Sequence, residues 1–292
     1  MNKDRNNSMK LLFKNYLPNL VNTATRMPYK NPAKKEIPYE FVKNEINNMI
    51  DNETNMFKCG EITLIHYNWR PESLVNEEFV EHLEYIRAII NNVHIKKHVP
   101  VTIIYYPCKL KRRFPNPDEM MEPVHINGGL YDSVKIIVYR EEAARKVIIH
   151  ELIHASLIDA HPLQLKIHSK YKSALFINEA IVEVYATIFN ILLRGKNESL
   201  FSEMLENEIL WGKYNTARLV EFFNNSKWIE GTNAMAYIYV KTYILCNLDK
   251  FMLIEFPYTE DKLKPFFADF EQWDYSGGDS LGKDGFNISY YE

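Results

Sequence analysis

Hydrophobic residues recur with two different periods in the first half of the chain, and each period predicts one kind of element. Apolar residues at helical spacing, namely Phe79, Leu83, Ile86 and Ile90, predict a long helix over residues 76–92. The same patterns predict helices over 39–52 and 141–159 and strands over 62–67, 99–106 and 134–139. The first half is therefore expected to mix α and β structure.

The second half of the chain shows no strand pattern, and it predicts helices over 175–194, 198–210, 214–224 and 234–253. Together the two halves predict an α+β fold, with a small mixed sheet followed by a mostly helical C-terminal subdomain. The predicted segments are a basic N-terminal arm (1–38), an α/β subdomain (39–160), a helical subdomain (161–275) and a flexible glycine-rich tail (276–292).

The helix predicted over 141–159 carries the sequence His-Glu-Leu-Ile-His at residues 150–154. Because residues four apart lie on one side of a helix, His150 and His154 can offer both imidazoles to a single zinc ion. Glu151 lies on the adjacent edge, where its carboxylate can act as general base toward a water on the metal. The alternative is a helix that merely packs, but its apolar surroundings leave the polar trio in need of a buried role.

A catalytic zinc site needs a third protein ligand, and the chain offers three candidates. A third histidine in the metzincin register would fall at position 160, which is Ala160, and His161 comes one position late. His168 lies in a polar stretch typical of a solvated residue. Glu179, on the helix predicted over 175–194, is the ligand that the sequence favours.

Two neighbours of Glu179 are predicted to support the metal site. Glu183 lies one turn later on the same helix and could accept the free ring N–H of a zinc-bound histidine. The alternative for Glu183 is an ordinary solvated carboxylate. Asn178, which precedes the ligand, is assigned to the same supporting group.

The segments 150–154 and 178–180, His-Glu-Leu-Ile-His and Asn-Glu-Ala, resemble the gluzincin metallopeptidases, the thermolysin-like clan of the zincins. The resemblance covers about residues 134–190 and implies a zincin-like fold. It also implies the site roles, with Glu151 as general base and the ligands His150, His154 and Glu179. With the Asn-Gly-Gly sequence at 127–129 and Thr232-Asn233, the pattern is more distantly similar to zinc peptidases of large DNA viruses.

The resemblance further implies that strand 134–139 is the edge of the sheet along which an extended peptide is aligned by main-chain hydrogen bonds. Ile136 and Val138 are then expected to bind substrate. The chain departs from the family in lacking the GxMxN motif of the aminopeptidase branch and the downstream histidine of thermolysin-type enzymes. Endopeptidase and exopeptidase cleavage therefore both stay open.

Peptide hydrolysis through a tetrahedral intermediate also needs a hydrogen-bond donor for the oxyanion. Because no histidine follows His168, the segment 231–243 is the best source of that donor. Tyr237 is the predicted catalytic donor, with Tyr239 behind it and Asn233 as a substrate-binding residue. The alternative is that these tyrosines are core aromatics of a buried helix.

Composition restricts the setting in which such an enzyme would work. The chain has 292 residues, of which 46% are hydrophobic, but no apolar run approaches the roughly 20 residues needed to cross a bilayer. Its first residues lack the apolar block of a secretory signal, and its three cysteines are far apart. We therefore expect an intracellular protein, cytoplasmic or carried in a virion, without membrane insertion.

Charge is distributed unevenly along the chain. Residues 1–35 hold eight Lys and Arg against one acid, whereas residues 255–292 hold nine acids against three Lys. The two ends are expected to pair with each other or to lie as a lid across the active-site cleft. A basic cluster at Lys109, Lys111, Arg112 and Arg113 could select acidic substrates, or it could be a solvated loop. No basic stretch is interleaved with aromatic residues, so nucleic acid is not an expected partner.

The function predicted from the sequence is that of a zinc-dependent metallopeptidase, a hydrolase of peptide or protein substrates that uses one Zn²⁺ and a glutamate-assisted water. One alternative is a catalytically inactive zincin-like binding or structural protein, such as a virion component. The other is a zinc hydrolase of a non-peptide amide or ester. Both alternatives share the metal site and differ in the chemistry beside it.

Overall fold

The computed structural model describes residues 23–29, 35–49, 53–94, 100–116, 119–156, 166–168, 174–195, 197–225, 231–283 and 285–291. The fold is α+β, as the sequence predicted, with a six-stranded mixed sheet and a helical C-terminal region. The described residues form two compact units. The sheet unit falls within residues 19–111 and 127–158, and the helical unit within residues 112–126 and 159–291.

Six strands form the sheet of the sheet unit: β1 (Thr25–Pro28), β2 (Asn55–Cys59), β3 (Ile62–His66), β4 (Val101–Tyr105), β5 (Gly129–Tyr131) and β6 (Lys135–Val138). Their order across the sheet is β1-β2-β3-β4-β6-β5. The central strands β3, β4 and β6 are parallel, whereas β1, β2 and β5 pair antiparallel to their neighbours.

The prediction that strand 134–139 forms the edge of the sheet is wrong. β6 lies between β4 and β5, and its pairs with β5 include Gly129 with Val138 and Tyr131 with Ile136. Both Ile136 and Val138 are fully buried. The pattern missed β5 because this strand is only three residues long and begins at the second glycine of a sequence that predicts a turn.

The two faces of the sheet follow from the alternation of side chains along each strand. Leu64, Ile103 and Ile136 are in register on one face, and each is fully buried. Their successors Ile65, Ile104 and Ile137 are in register on the other face, where they join a second apolar cluster with the first helical segment of the chain. Burial on both faces explains why the central strands are almost continuously apolar.

Helices cover the sheet within the same unit. They are a 3₁₀ turn (Glu40–Val42), α1 (Lys43–Asn47), α2 (Glu77–His94) and α4 (Ala144–Ala155). Phe79, Leu83, Ile86 and Ile90 are all buried, so the predicted apolar face of α2 is confirmed. α2 packs on β2, β3 and α4, and α4 packs on β5 and β6.

The helical unit contains α3 (Pro123–Ile126), α5 (Ile177–Arg194), α6 (Glu198–Asn225), a π-helical turn (Ala236–Val240), α7 (Lys241–Cys246), α8 (Leu248–Phe251), α9 (Glu260–Leu263) and a 3₁₀ turn (Phe270–Gln272). A two-stranded antiparallel ribbon precedes α5, formed by β7 (Lys166–His168) and β8 (Ala174–Phe176). Across the described residues, the helices include none with the length and apolar character that a membrane span requires.

A single helix, α6, replaces the two helices predicted over 198–210 and 214–224. Gly212 suggested a break, but it lies inside the helix and allows close contact with α7. A Cβ atom at this position would stand only 2.3 Å from the Thr242 hydroxyl. The glycine therefore serves helix packing and does not end the helix.

The flexible tail predicted over 276–292 differs from the structure over its last residues. Residues 285–291, which we name the C-terminal strap, pack within the helical unit, and Phe286, Ile288 and Ser289 are buried. The glycine content of this segment predicted disorder. The residues against which the segment packs lie far away in the sequence, so no local pattern indicated that it is ordered.

The N-terminal arm predicted over 1–38 is partly a strand, because Thr25–Pro28 forms β1 and pairs with β2. Residues 1–22 and 30–34 lie outside the described part of the chain. The expected pairing of the basic arm with the acidic C-terminal region is therefore not examined by the structure and stays a prediction.

Candidate metal centre

The helix that carries the His-Glu-Leu-Ile-His motif follows its strand almost directly. After β6, the Tyr139 N–H donates to the Gly128 carbonyl and the Glu141 N–H donates to the Cys108 carbonyl. Ala143 then adopts a left-handed conformation with φ of 64°, and α4 begins at the next residue. A left-handed alanine costs about 1 kcal/mol, which the packing of the surrounding structure must offset.

Close packing fixes α4 against the sheet. A Cβ atom at Gly129 would lie 2.8 Å from a methyl group of Val147, so β5 and α4 approach each other more closely than a side chain would allow. Ile148, Ile149 and Leu152 are fully buried on α4. These contacts leave little freedom for the helix to rotate, and they fix the direction of its polar residues.

His150 and His154 lie together on one side of α4, as the spacing predicted. Their Nε2 atoms are 3.0 Å apart and their rings meet edge to face, with centroids 4.8 Å apart. His150 is buried and His154 is half-buried. Two imidazole nitrogens directed at one point from a buried helix form a preorganised pair of donors.

Glu179 completes a group of three donors. Ligand atoms of His150, His154 and Glu179 all lie within 4.8 Å of one another, and the described residues contain no other such cluster of metal-binding side chains. Ligands of a tetrahedral zinc at about 2.1 Å lie about 3.4 Å apart, so donor separations of up to 4.8 Å need adjustments of at most roughly 1.4 Å. The donor set therefore fits a metal ion, and nothing in the donors alone restricts that ion to zinc.

The predicted base and supporting residues occupy protected positions. Glu151 is 8% exposed on α4, and Glu183 is 2% exposed on α5. The alternative of a solvated carboxylate is therefore wrong for Glu183. Asn178 is half-buried, and its side-chain oxygen is shielded from solvent without a hydrogen-bond partner among the described residues.

The predicted oxyanion donor lies at the start of the π-helical turn. Tyr237 is half-buried, and its N–H donates to the Asn233 carbonyl over 2.9 Å. The π-helical turn packs against α5, the helix of Glu179. Tyr239 is buried and stacked on Trp273, with ring centroids 5.6 Å apart, so this tyrosine is a core aromatic.

The basic cluster at 109–113 is largely occupied by structural contacts. The buried Arg112 donates to the Ile126 carbonyl over 2.6 Å. Arg113 donates to Glu119 over 2.9 Å, and this hydrogen bond lowers the pKa of the Glu119 carboxyl to about 2. Only Lys109 and Lys111 remain exposed without a contact of this kind.

Other predicted candidates lie at or beyond the limits of the described residues. Ala160 and His161, which decide the metzincin register, lie outside them, and His168 is described only as backbone of β7. Sequence reasoning overlooked Lys241, a fully buried lysine in the mostly apolar run Tyr237–Leu245. Its position among apolar residues was a usable signal.

Comparison with models of protein families, with curated proteins and with solved structures produces no match for this chain.

Proposed function

We propose that the protein is a zinc-dependent metallopeptidase. The observation that carries the proposal is the pair of imidazoles on α4, whose Nε2 atoms lie 3.0 Å apart, on the same helix as the buried Glu151. Two nitrogen donors and one carboxylate oxygen form a ligand set that zinc accepts in catalytic sites, with one coordination position left for a reactant. Three free cysteines are consistent with a reducing compartment inside the cell.

His150, His154 and Glu179 would hold the metal. Zinc bound there would supply Lewis acidity toward a peptide carbonyl and make a nucleophilic water available near neutral pH. Glu183, buried one turn after Glu179, would orient a ligand by accepting an imidazole N–H.

Glu151 would act as the general base. It follows His150 directly on α4, and its side chain is protected from bulk water. It would take the proton of the attacking water and then deliver that proton to the leaving amine. Tyr237 would donate its hydroxyl hydrogen to the oxygen on which negative charge develops.

The structure changes which strand would align the substrate. Because β5 covers β6, an extended peptide would pair with the outer side of β5, at Gly129–Tyr131. β5 packs directly on α4, so pairing there keeps the peptide beside the helix of Glu151.

The test combines metal analysis of the purified protein with cleavage of a broad peptide library. Wild type should bind one zinc ion and cleave, whereas Glu151→Gln should bind zinc equally and lose at least about 1000-fold in turnover. Glu141→Gln, which changes an exposed glutamate just before the same helix, is the matched control and should keep full activity.

Two results would contradict the proposal. Loss of zinc in Glu151→Gln would assign Glu151 a structural role. Zinc-loaded wild type that cleaves no peptide would favour an inactive binding protein, or a hydrolase of another amide or ester if small amide and ester substrates are turned over instead.

A further inference from the structure

The C-terminal strap is attached to the helical unit by contacts along its whole length. Arg218 donates to the Gly285 carbonyl over 2.7 Å, and Phe286 packs on Phe114 with ring centroids 4.0 Å apart. Trp211 donates its indole N–H to the Asn287 carbonyl over 3.2 Å. The strap is therefore an integrated part of the unit, although it comes last in the chain.

A buried ion pair forms the centre of this attachment. Lys241 and Glu208 are both fully buried, and the ammonium lies 3.9 Å from the carboxylate. The ammonium donates to the Ile288 carbonyl over 2.5 Å. The carboxylate accepts hydrogen bonds from the Ser289 hydroxyl and from the Tyr291 N–H. The strap thus supplies an acceptor to the ammonium and two donors to one carboxylate oxygen, Oε1, whereas Oε2 faces the ammonium at 3.9 Å without a hydrogen bond among the described residues.

Lys241 also ends the π-helical turn. Its N–H donates to the Ala236 carbonyl five residues earlier, which is the bond that defines a π turn. In the next residue, the Thr242 hydroxyl donates to the Ile238 carbonyl over 2.6 Å and packs against Gly212 of α6. The start of α7 is therefore fixed by the strap and by α6 together.

Tyr239 fixes the opposite side of the same turn. Its ring lies among Phe270, Trp273 and Tyr275, with centroid distances of 4.8, 5.6 and 5.9 Å. Each residue of a regular helix is rotated about 100° around the helix axis relative to the residue before it. The extra residue of a π turn therefore rotates the side chains before the turn by about 100° around the axis relative to those after it. The turn lets the helix satisfy the aromatic cluster and the buried ion pair at once.

We infer that the C-terminal strap, acting through Lys241, holds this π turn and thereby sets the direction of Tyr237. Lys241 is then a positioning residue, and the site depends on docking of the last residues of the chain. The inference rests on the proposed function, because Tyr237 acts there as the oxyanion donor. Without the ion pair, the turn relaxes toward a regular helix and rotates Tyr237 relative to α7.

The test uses the full-length, zinc-loaded protein and four variants: Lys241→Met, Tyr237→Phe, the double variant, and Lys264→Met as control. Lys264 forms an exposed ion pair with Glu260, so this control removes a lysine without disturbing the turn. Lys241→Met should lower kcat at least tenfold while KM and zinc content stay within twofold. In the Tyr237→Phe background, the same change should lower kcat less than twofold, because the group that it positions is already absent.

Equal losses in both backgrounds would overturn the inference and give Lys241 a general structural role. If Lys241→Met does not fold, Ser289→Ala removes one hydrogen bond to Glu208 and should show the same dependence on Tyr237 with a smaller loss.

A second readout needs no activity. Amide hydrogen exchange over residues 231–246 should increase in Lys241→Met, whereas exchange over α4 should not change. Unchanged exchange over 231–246 would show that the strap does not hold the turn. If wild type cleaves no peptide, the proposed function fails, while hydrogen exchange still decides whether the strap holds the turn.

Discussion

α4 and the helix that begins at Ala234 both carry predicted catalytic residues, but different forces place those residues. On α4, regular helical geometry brings His150 and His154 together, and contacts with adjacent strands fix the helix. In the second helix, a π turn interrupts the regular period, and its partners are the strap and an aromatic cluster 30 to 50 residues away. Local spacing therefore suffices to bring the two predicted ligands together, whereas the proposed orientation of Tyr237 depends on distant contacts.

The largest expected effect tests the local half of this comparison. His150→Ala or His154→Ala should weaken zinc binding at least about 1000-fold, because each removes one of the three proposed ligands, whereas loss of a supporting residue costs 10- to 100-fold. Competition with a chromogenic chelator measures the change.

His82→Ala, on α2, is the control for the loss of a histidine as such, and its zinc affinity should equal that of wild type. Zinc affinity that survives either ligand change would mean that the helical spacing of the pair does not make the site.

A smaller effect concerns a buried imidazole that is satisfied within the sheet unit. His66 donates its Nδ1–H to the Val75 carbonyl over 3.1 Å, and burial lowers the pKa of this imidazole to about 4. As the pH falls, the His66 imidazole of the unfolded chain, with a pKa near 6.5, takes up a proton before that of the folded chain does. The contribution of neutral His66 to the stability of the folded state is therefore complete above pH 6.5. It is lost progressively as the pH falls from 6.5 to about 4.

Between pH 7.5 and 4.5, the metal-free wild type should lose about 2.5 kcal/mol more of its unfolding free energy than His66→Gln loses. Urea unfolding at both pH values measures the two slopes. Parallel losses in the two proteins would show that His66 is not the group whose protonation opposes folding.

The smallest effect tests the distant half of the comparison. Gly212→Ala introduces a methyl group 2.3 Å from the Thr242 hydroxyl and should cost about 2 kcal/mol, although alanine is the better helix former. Thermal unfolding measures the loss.

The double change Gly212→Ala and Thr242→Ala removes the clash and should recover part of that stability. No recovery would place the strain elsewhere in α6.

Helices whose hydrophobic period is uninterrupted could be predicted from the sequence. The apolar stripe of α2 and the histidine pair of α4 both follow from residue spacing. β1, β2 and β5 could not be predicted, because polar residues, Pro28 and Gly129 leave them without the near-continuous apolar runs that mark β3, β4 and β6.

Tertiary contacts explain the remaining differences. Gly212 was predicted to break a helix because Thr242, against which it packs, is 30 residues away in the sequence. The strap was predicted to be a flexible tail because the ion pair that it contacts is formed by residues of α6 and α7. Glu179 could be chosen as a ligand from its position on a helix. Its proximity to the two histidines depended on the fold.

The outer strands of the sheet have a consequence for association between molecules. β1 has four residues and ends at Pro28, which cannot donate a backbone hydrogen bond, and β5 has three residues. Strands this short give another copy of the chain little length on which to add a strand, which limits aggregation edge to edge. An extended peptide of the kind proposed as substrate would gain the same few hydrogen bonds at β5, so selectivity among such peptides would come from their side chains.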